Sequence, residues 1–104
     1  EMAELKDSAE QFGKDLMNQN LAGLMMAFTP NGMGQAMALQ SQMAGGPQPS
    51  GAPTLKIAMG AVEGEDHLVD LVMGSEGNAE TVTVATRWKD VAGAWKVDGI
   101  SRKA

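Results

Sequence analysis

The chain has 104 residues, one histidine, no cysteine and a net charge of −5, which suits one domain around one core. Without cysteine there can be no disulfide, thiolate nucleophile, zinc–thiolate site or iron–sulfur cluster. The eight basic residues are scattered, unlike the concentrated patch a nucleic acid requires, and no apolar run approaches the roughly 20 residues of a membrane span.

Met2, Leu5, Ala9, Phe12 and Leu16 recur every three or four residues, while Glu4, Lys6, Asp7, Glu10, Lys14 and Asp15 fall mostly opposite. This period predicts an amphipathic helix over residues 2–17. Asn18-Gln19-Asn20 interrupts it, and Asn20 is placed to cap a second short helix carrying Leu21, Leu24, Met25 and Phe28. Thr29-Pro30 should end that helix, because the residue before proline is pushed out of the α region. Asn31 then caps a third helix with Met33, Ala36, Met37 and Met43 facing inward, weakened by Gly32 and Gly34. Nine methionines against two phenylalanines and no tyrosine suggest a core filled by flexible side chains.

Residues 44–53 combine glycine and proline and read as a linker crossing from the helices to a sheet. Four strands follow, over about 54–62, 66–73, 80–90 and 94–102, joined by short turns into an antiparallel meander. Counting by twos puts Val82, Val84, Thr86 and Trp88 on one face, with Trp95 and Val97 of the last strand. Gly99 marks a bulge that returns Ile100 to the apolar side. Replacing Trp95 by alanine should then cost about 3–5 kcal/mol, as for a core aromatic. The opposite face of the third strand (Thr81, Thr83, Ala85, Arg87) is only moderately polar, the pattern of a sheet completed by another subunit.

The closing hairpin, Thr86-Arg87-Trp88 followed by Gly93, Trp95-Lys96-Val97 and Ser101, resembles the end of NTF2-like domains, also called cystatin-like α+β or SnoaL-like domains. The amphipathic first helix, the polar break at Met17–Asn20 and the short apolar helix running into Phe28-Thr29-Pro30 are similar to the start of such domains. The resemblance implies a cone in which a curved sheet wraps the long helix, frequently as a homodimer through sheet faces. Two departures stand out. The short strand pair usual among the N-terminal helices gives no signal between residues 20 and 45, and the tyrosine oxyanion donor of ketosteroid isomerase-like members has no counterpart, since tyrosine is absent.

Few residues bear on chemistry. His67 follows Asp66 in the second strand, where neighbours point to opposite faces, so Asp66 is badly placed to orient the ring. Asp70 lies mid-strand between Leu68 and Val72 and is either a base of raised pKa on an apolar face or an outer-face carboxylate paired with Lys56, Arg87 or Lys96. Asp98, beside Val97, carries the same ambiguity. Met25, Met26, Met33, Met37 and Met43 are soft donors for Cu(I), yet their spacing suits a core stripe and no cysteine supports them. Asn31-Gly-Met-Gly34 is a helix cap and not a phosphate loop, and no serine sits in a nucleophile elbow.

The expectation is a single α+β domain over residues 1–104, with three helices on a curved four-stranded antiparallel sheet. Its function is expected to be non-enzymatic: a dimerising module with room for a small apolar ligand between helix and sheet, lined by Phe12, Leu16, Met25, Phe28, Asp70 and Trp88. An isomerase, dehydratase or cyclase using Asp70 or Asp98 as base is the alternative, and a purely structural partner-binding domain the third. No metal or cofactor is expected, and neither nucleic acid nor membrane as partner. The start at Glu1 shows no basic stretch of a secretion signal, and a cytoplasmic setting is slightly favoured.

Overall fold

The structure is a computed structural model and describes residues 2–43 and 51–103. Three helices, α1 (Met2–Asn18), α2 (Leu21–Ala27) and α3 (Pro30–Met43), precede four strands, β1 (Pro53–Glu63), β2 (Asp66–Ser75), β3 (Val82–Val91) and β4 (Ala94–Arg102). The sheet is antiparallel, open and ordered β1-β2-β3-β4. This is the expected α+β arrangement. Most of the expected linker, residues 44–50, and the side chains of Met2 and Met43 lie outside the described residues.

The helical stripe read from the sequence is the one buried. Leu5, Ala9 and Phe12 of α1 meet Val69 and Leu71 of β2, Val84 and Trp88 of β3, and Val97 and Ile100 of β4. Phe12 lies edge-on to Trp88 with ring centroids 5.6 Å apart and edge-on to Phe28 at 5.3 Å, the geometry aromatic quadrupoles favour. A Cβ on Gly13 would come within 2.6 Å of a Leu55 methyl, so glycine lets α1 lie close to β1.

The α2–α3 joint differs from the sequence reading. Pro30 opens α3 instead of merely ending α2. Thr29 is its cap, its Oγ1 accepting from the Gly32 amide at 3.0 Å. Proline suits the first helical position, where its missing N–H would be unpaired anyway. The inward face of α3 also shifts. Gly32 and Leu39 are buried, whereas Met37 is largely exposed. Its polar turns run along the β4 edge, and that edge decides which residues face in.

That edge is well covered. Phe28 forms a parallel bridge with Val97, and the Thr29 amide donates to the Val97 carbonyl at 3.0 Å. Asn31 Nδ2 donates to the Asp98 carbonyl at 2.9 Å, and the Ile100 amide donates to Gln35 Oε1 at 3.1 Å. Gly32 packs so tightly that a Cβ there would overlap the Val97 carbonyl oxygen. These contacts satisfy backbone groups that an edge strand otherwise leaves open.

Two register shifts bend the sheet. One falls in β1 between Met59 and Val62. In the other, Arg87 pairs with Gly99 but Trp88 with Val97, so the extra residue is Asp98, one position before the glycine expected to mark the bulge. The consequence is as read: Ile100 returns to the buried side.

Candidate functional site

The expected pocket residues divide into three groups. Phe12 and Trp88 are buried and, with half-buried Phe28 and Leu16, pack together between α1 and the sheet. Met25 does not belong with them. It is 65% exposed on α2, a seven-residue helix with no buried residue. Met26 and Met37 are similarly exposed, so these three methionines correct the reading of a methionine-filled core. Short helices anchored mainly at their ends leave their middle residues outside, whatever the hydrophobicity.

Asp70 forms the third group. It sits on the outer face of the sheet, with its neighbours Val69 and Leu71 fully buried on the inner one, as strand alternation requires. Its partner is none of the lysines or arginines expected. Lys103, just beyond β4, brings Nζ to 2.7 Å from Asp70 Oδ2. It can do so because the intervening Ala85 and Thr83 on β3 are small, and the Lys103 amide is anchored to the Thr83 carbonyl at 2.9 Å. Only the register of β2, β3 and β4 together shows this diagonal, although the small side chain of Ala85 was a legible hint.

Asp98 also lies away from the interior. Thr29 Oγ1 donates to its Oδ1 at 2.7 Å, and Lys89 Nζ approaches its Oδ2 at 3.7 Å. Asp70 and Asp98 thus have separate partners. Lys89 also approaches Asp66 at 3.9 Å, and Arg87 bonds Asp66 at 3.0 Å and Glu63 at 3.2 Å. The hydrogen bond it donates to Asp66, then the one it donates to Glu63, holds the Arg87 guanidinium above its ordinary pKa. An ion-pair ladder therefore runs across the outer face from β1 to the α2–α3 joint.

His67 is on the inner side at the sheet end, its ring edge-on to Trp95 with centroids 4.8 Å apart. Asp66 points the other way, to Arg87, as the alternation rule required. Trp95 is half-buried, packed against the core margin, in contrast to Trp88.

The outer face holds two shallow clefts that meet at the Asp70–Lys103 pair. One, about 450 Å³, is bordered by Ala58, Val72, Thr83 and Arg102. The other, about 330 Å³, lies among Gly60, Leu68, Ala85, Gly99 and Gln35. Among the described residues, no group of three or more His, Asp and Glu is placed to hold a metal, and no helix is long and apolar enough to cross a membrane.

Three polar residues are buried, Asp15, Ser75 and Thr86, and of these the sequence placed only Thr86 on the inner face. Asp15 accepts from Gln11 Nε2 at 3.0 Å and Asn20 Nδ2 at 3.2 Å, tying the end of α1 to the start of α2. Thr86 links Trp88 to the β2 backbone. Compared with profiles of known families, with curated proteins and with solved structures, the chain matches none.

Proposed function

We propose that the chain is a non-catalytic module of the NTF2-like kind that pairs with a second copy through the outer face of its sheet. The order of elements supports the likeness: a long amphipathic helix, a short apolar helix and a meander ending in a Trp-bearing hairpin. The observation that carries the pairing is the make-up of the outer face. No described helix covers it, since the core cluster gathers the helices on the other side and α3 takes the β4 edge. Leu68 and Val72 rise half-buried from a floor of small residues, Ala58, Ala85, Gly99 and Ser101.

Charge points to a second copy as the occupant. The chain carries a net −5, so two copies repel each other as whole molecules. On the outer face Arg87, Lys89 and Lys103 are matched by Glu63, Asp66, Asp98 and Asp70 in ion pairs. Two acidic molecules meet there with little electrostatic penalty. An apolar ligand between α1 and the sheet would have to part Phe12 from Trp88 and Phe28. An isomerase-type reaction would need a base other than Asp70 or Asp98.

Light scattering across the micromolar range tests the proposal, comparing wild type with Ala85→Arg at the centre of the face. The expected result is a two-chain mass for wild type and a one-chain mass for the variant, with unchanged far-UV dichroism. A wild type that stays monomeric throughout would refute it.

A further inference from the structure

Resting on that pairing, we infer that the Asp70–Lys103 contact is exchanged between the two copies, so that the site recognises a second copy of this chain through a four-charge cluster on the two-fold axis. The pair occupies the meeting point of both outer clefts, each of which includes both residues in its lining. Asp70 lies halfway along β2 with Ala58 and Ala85 opposite it, and Lys103 reaches it across β3, so the pair stands well inside the uncovered face, where a self-complementary interface has room for its axis. The Lys103 side chain is 55% exposed and that of Asp70 27%. Lys103 is thus the more exposed of the two, while the carboxylate sits lower, against the small floor.

Covering a lone ion pair removes water from both charges and is compensated only where each charge gains further partners. Two pairs brought together about a two-fold axis supply them. Each Lys103 then lies between two Asp70 carboxylates, and each Asp70 between two ammonium groups. The small residues Ala58, Ala85 and Ser101 leave room for this arrangement, with Ala58 and Ala85 directly opposite Asp70 in the strand register and Ser101 opposite Ala85. The remaining ion pairs on the face lie towards the β1–β2 turn, among Arg87, Lys89, Glu63, Asp66 and Asp98, and do not compete for these groups.

A mixing experiment separates exchange between chains from a contact confined to one chain. Asp70→Lys leaves one chain with two positive groups at this point, and Lys103→Asp leaves the other with two negative groups. Each variant alone should self-associate at least about tenfold more weakly than wild type, because like charges face one another across the axis. An equimolar mixture should recover association at least about tenfold tighter than either variant alone. Wild type that dimerises while the mixture shows no recovery would overturn the exchange and leave the dimer standing. Wild type that never dimerises would overturn the proposed function itself. If either reversal fails to fold, Asp70→Asn and Lys103→Gln serve instead. The dimer should then lose most of its salt sensitivity, and an unchanged salt dependence would count against the cluster.

Discussion

The indole N–H of Trp88 donates to Thr86 Oγ1 at 2.7 Å, and the Thr86 hydroxyl donates in turn to the Val69 carbonyl at 2.6 Å. Both side chains are buried on the inner face, two residues apart on β3. The largest core residue therefore keeps its polar atom satisfied without water, at the cost of requiring a hydroxyl at position 86. Thr86→Val keeps the shape and removes the hydroxyl, leaving a buried indole N–H unpaired. The expected loss is about 1–3 kcal/mol, measured by urea unfolding. A loss near zero would show that the indole finds another acceptor.

The two tryptophans should respond differently to truncation. Trp88→Ala empties the centre of the core beside Phe12 and should cost about 3–5 kcal/mol. Trp95 is half-buried at the core margin beside His67, so Trp95→Ala should cost less than Trp88→Ala, below the range expected of a core residue from the sequence alone. Thermal denaturation of the two variants side by side checks the order, and equal losses would contradict it.

Glycines two residues apart on α3 give opposite expectations. A Cβ at Gly34 meets nothing within 4 Å, so Gly34→Ala should stabilise the helix by about 0.5–1 kcal/mol through reduced backbone freedom. At Gly32 the same methyl would collide with the Val97 carbonyl oxygen. Gly32→Ala should destabilise by about 1–3 kcal/mol, the range for overpacking, and should loosen the clasp of α3 on β4. Amide exchange at Ile100, whose N–H is held by Gln35, should speed up in that variant alone.

Exposed methionines on α2 and α3 should tolerate polar replacement. Met25→Gln and Met37→Gln are each expected to change stability by no more than about 0.5 kcal/mol. A loss of several times that would mean that these side chains are covered, restoring the inward positions their helical spacing suggests.

Much of this fold is legible in the residues. The stripe Leu5, Ala9, Phe12 declares the buried side of α1, and the alternation Val82, Val84, Thr86, Trp88 declares that of β3. Both patterns are periodic and long enough for one face to stand out. Helix α2 is not legible in this way, because all of its residues are apolar, glycine included, and periodicity cannot choose a face where no polar residue alternates. The cap at Thr29 was hidden by Pro30, which stops one helix and starts another equally well. The outer-face site was half legible. Alternation allowed Asp70 outside, but Lys103 reaches it over β3, a relation that depends on register across three strands. The shift that inserts Asp98 into β4 also lies in pairing geometry, which no local pattern announces.

The most direct test of the account is a distance between copies. Because the chain has no cysteine, Lys56→Cys and Lys14→Cys each offer one attachment point for a nitroxide, the first at the β1 margin of the outer sheet face and the second on the exposed side of α1. Sheets packed face to face lie about 10 Å apart, so pulsed electron resonance should give a clearly shorter inter-copy distance from position 56 than from position 14. The reverse order, or no inter-copy coupling from position 56 at concentrations where a dimer is measured, would contradict pairing through this face.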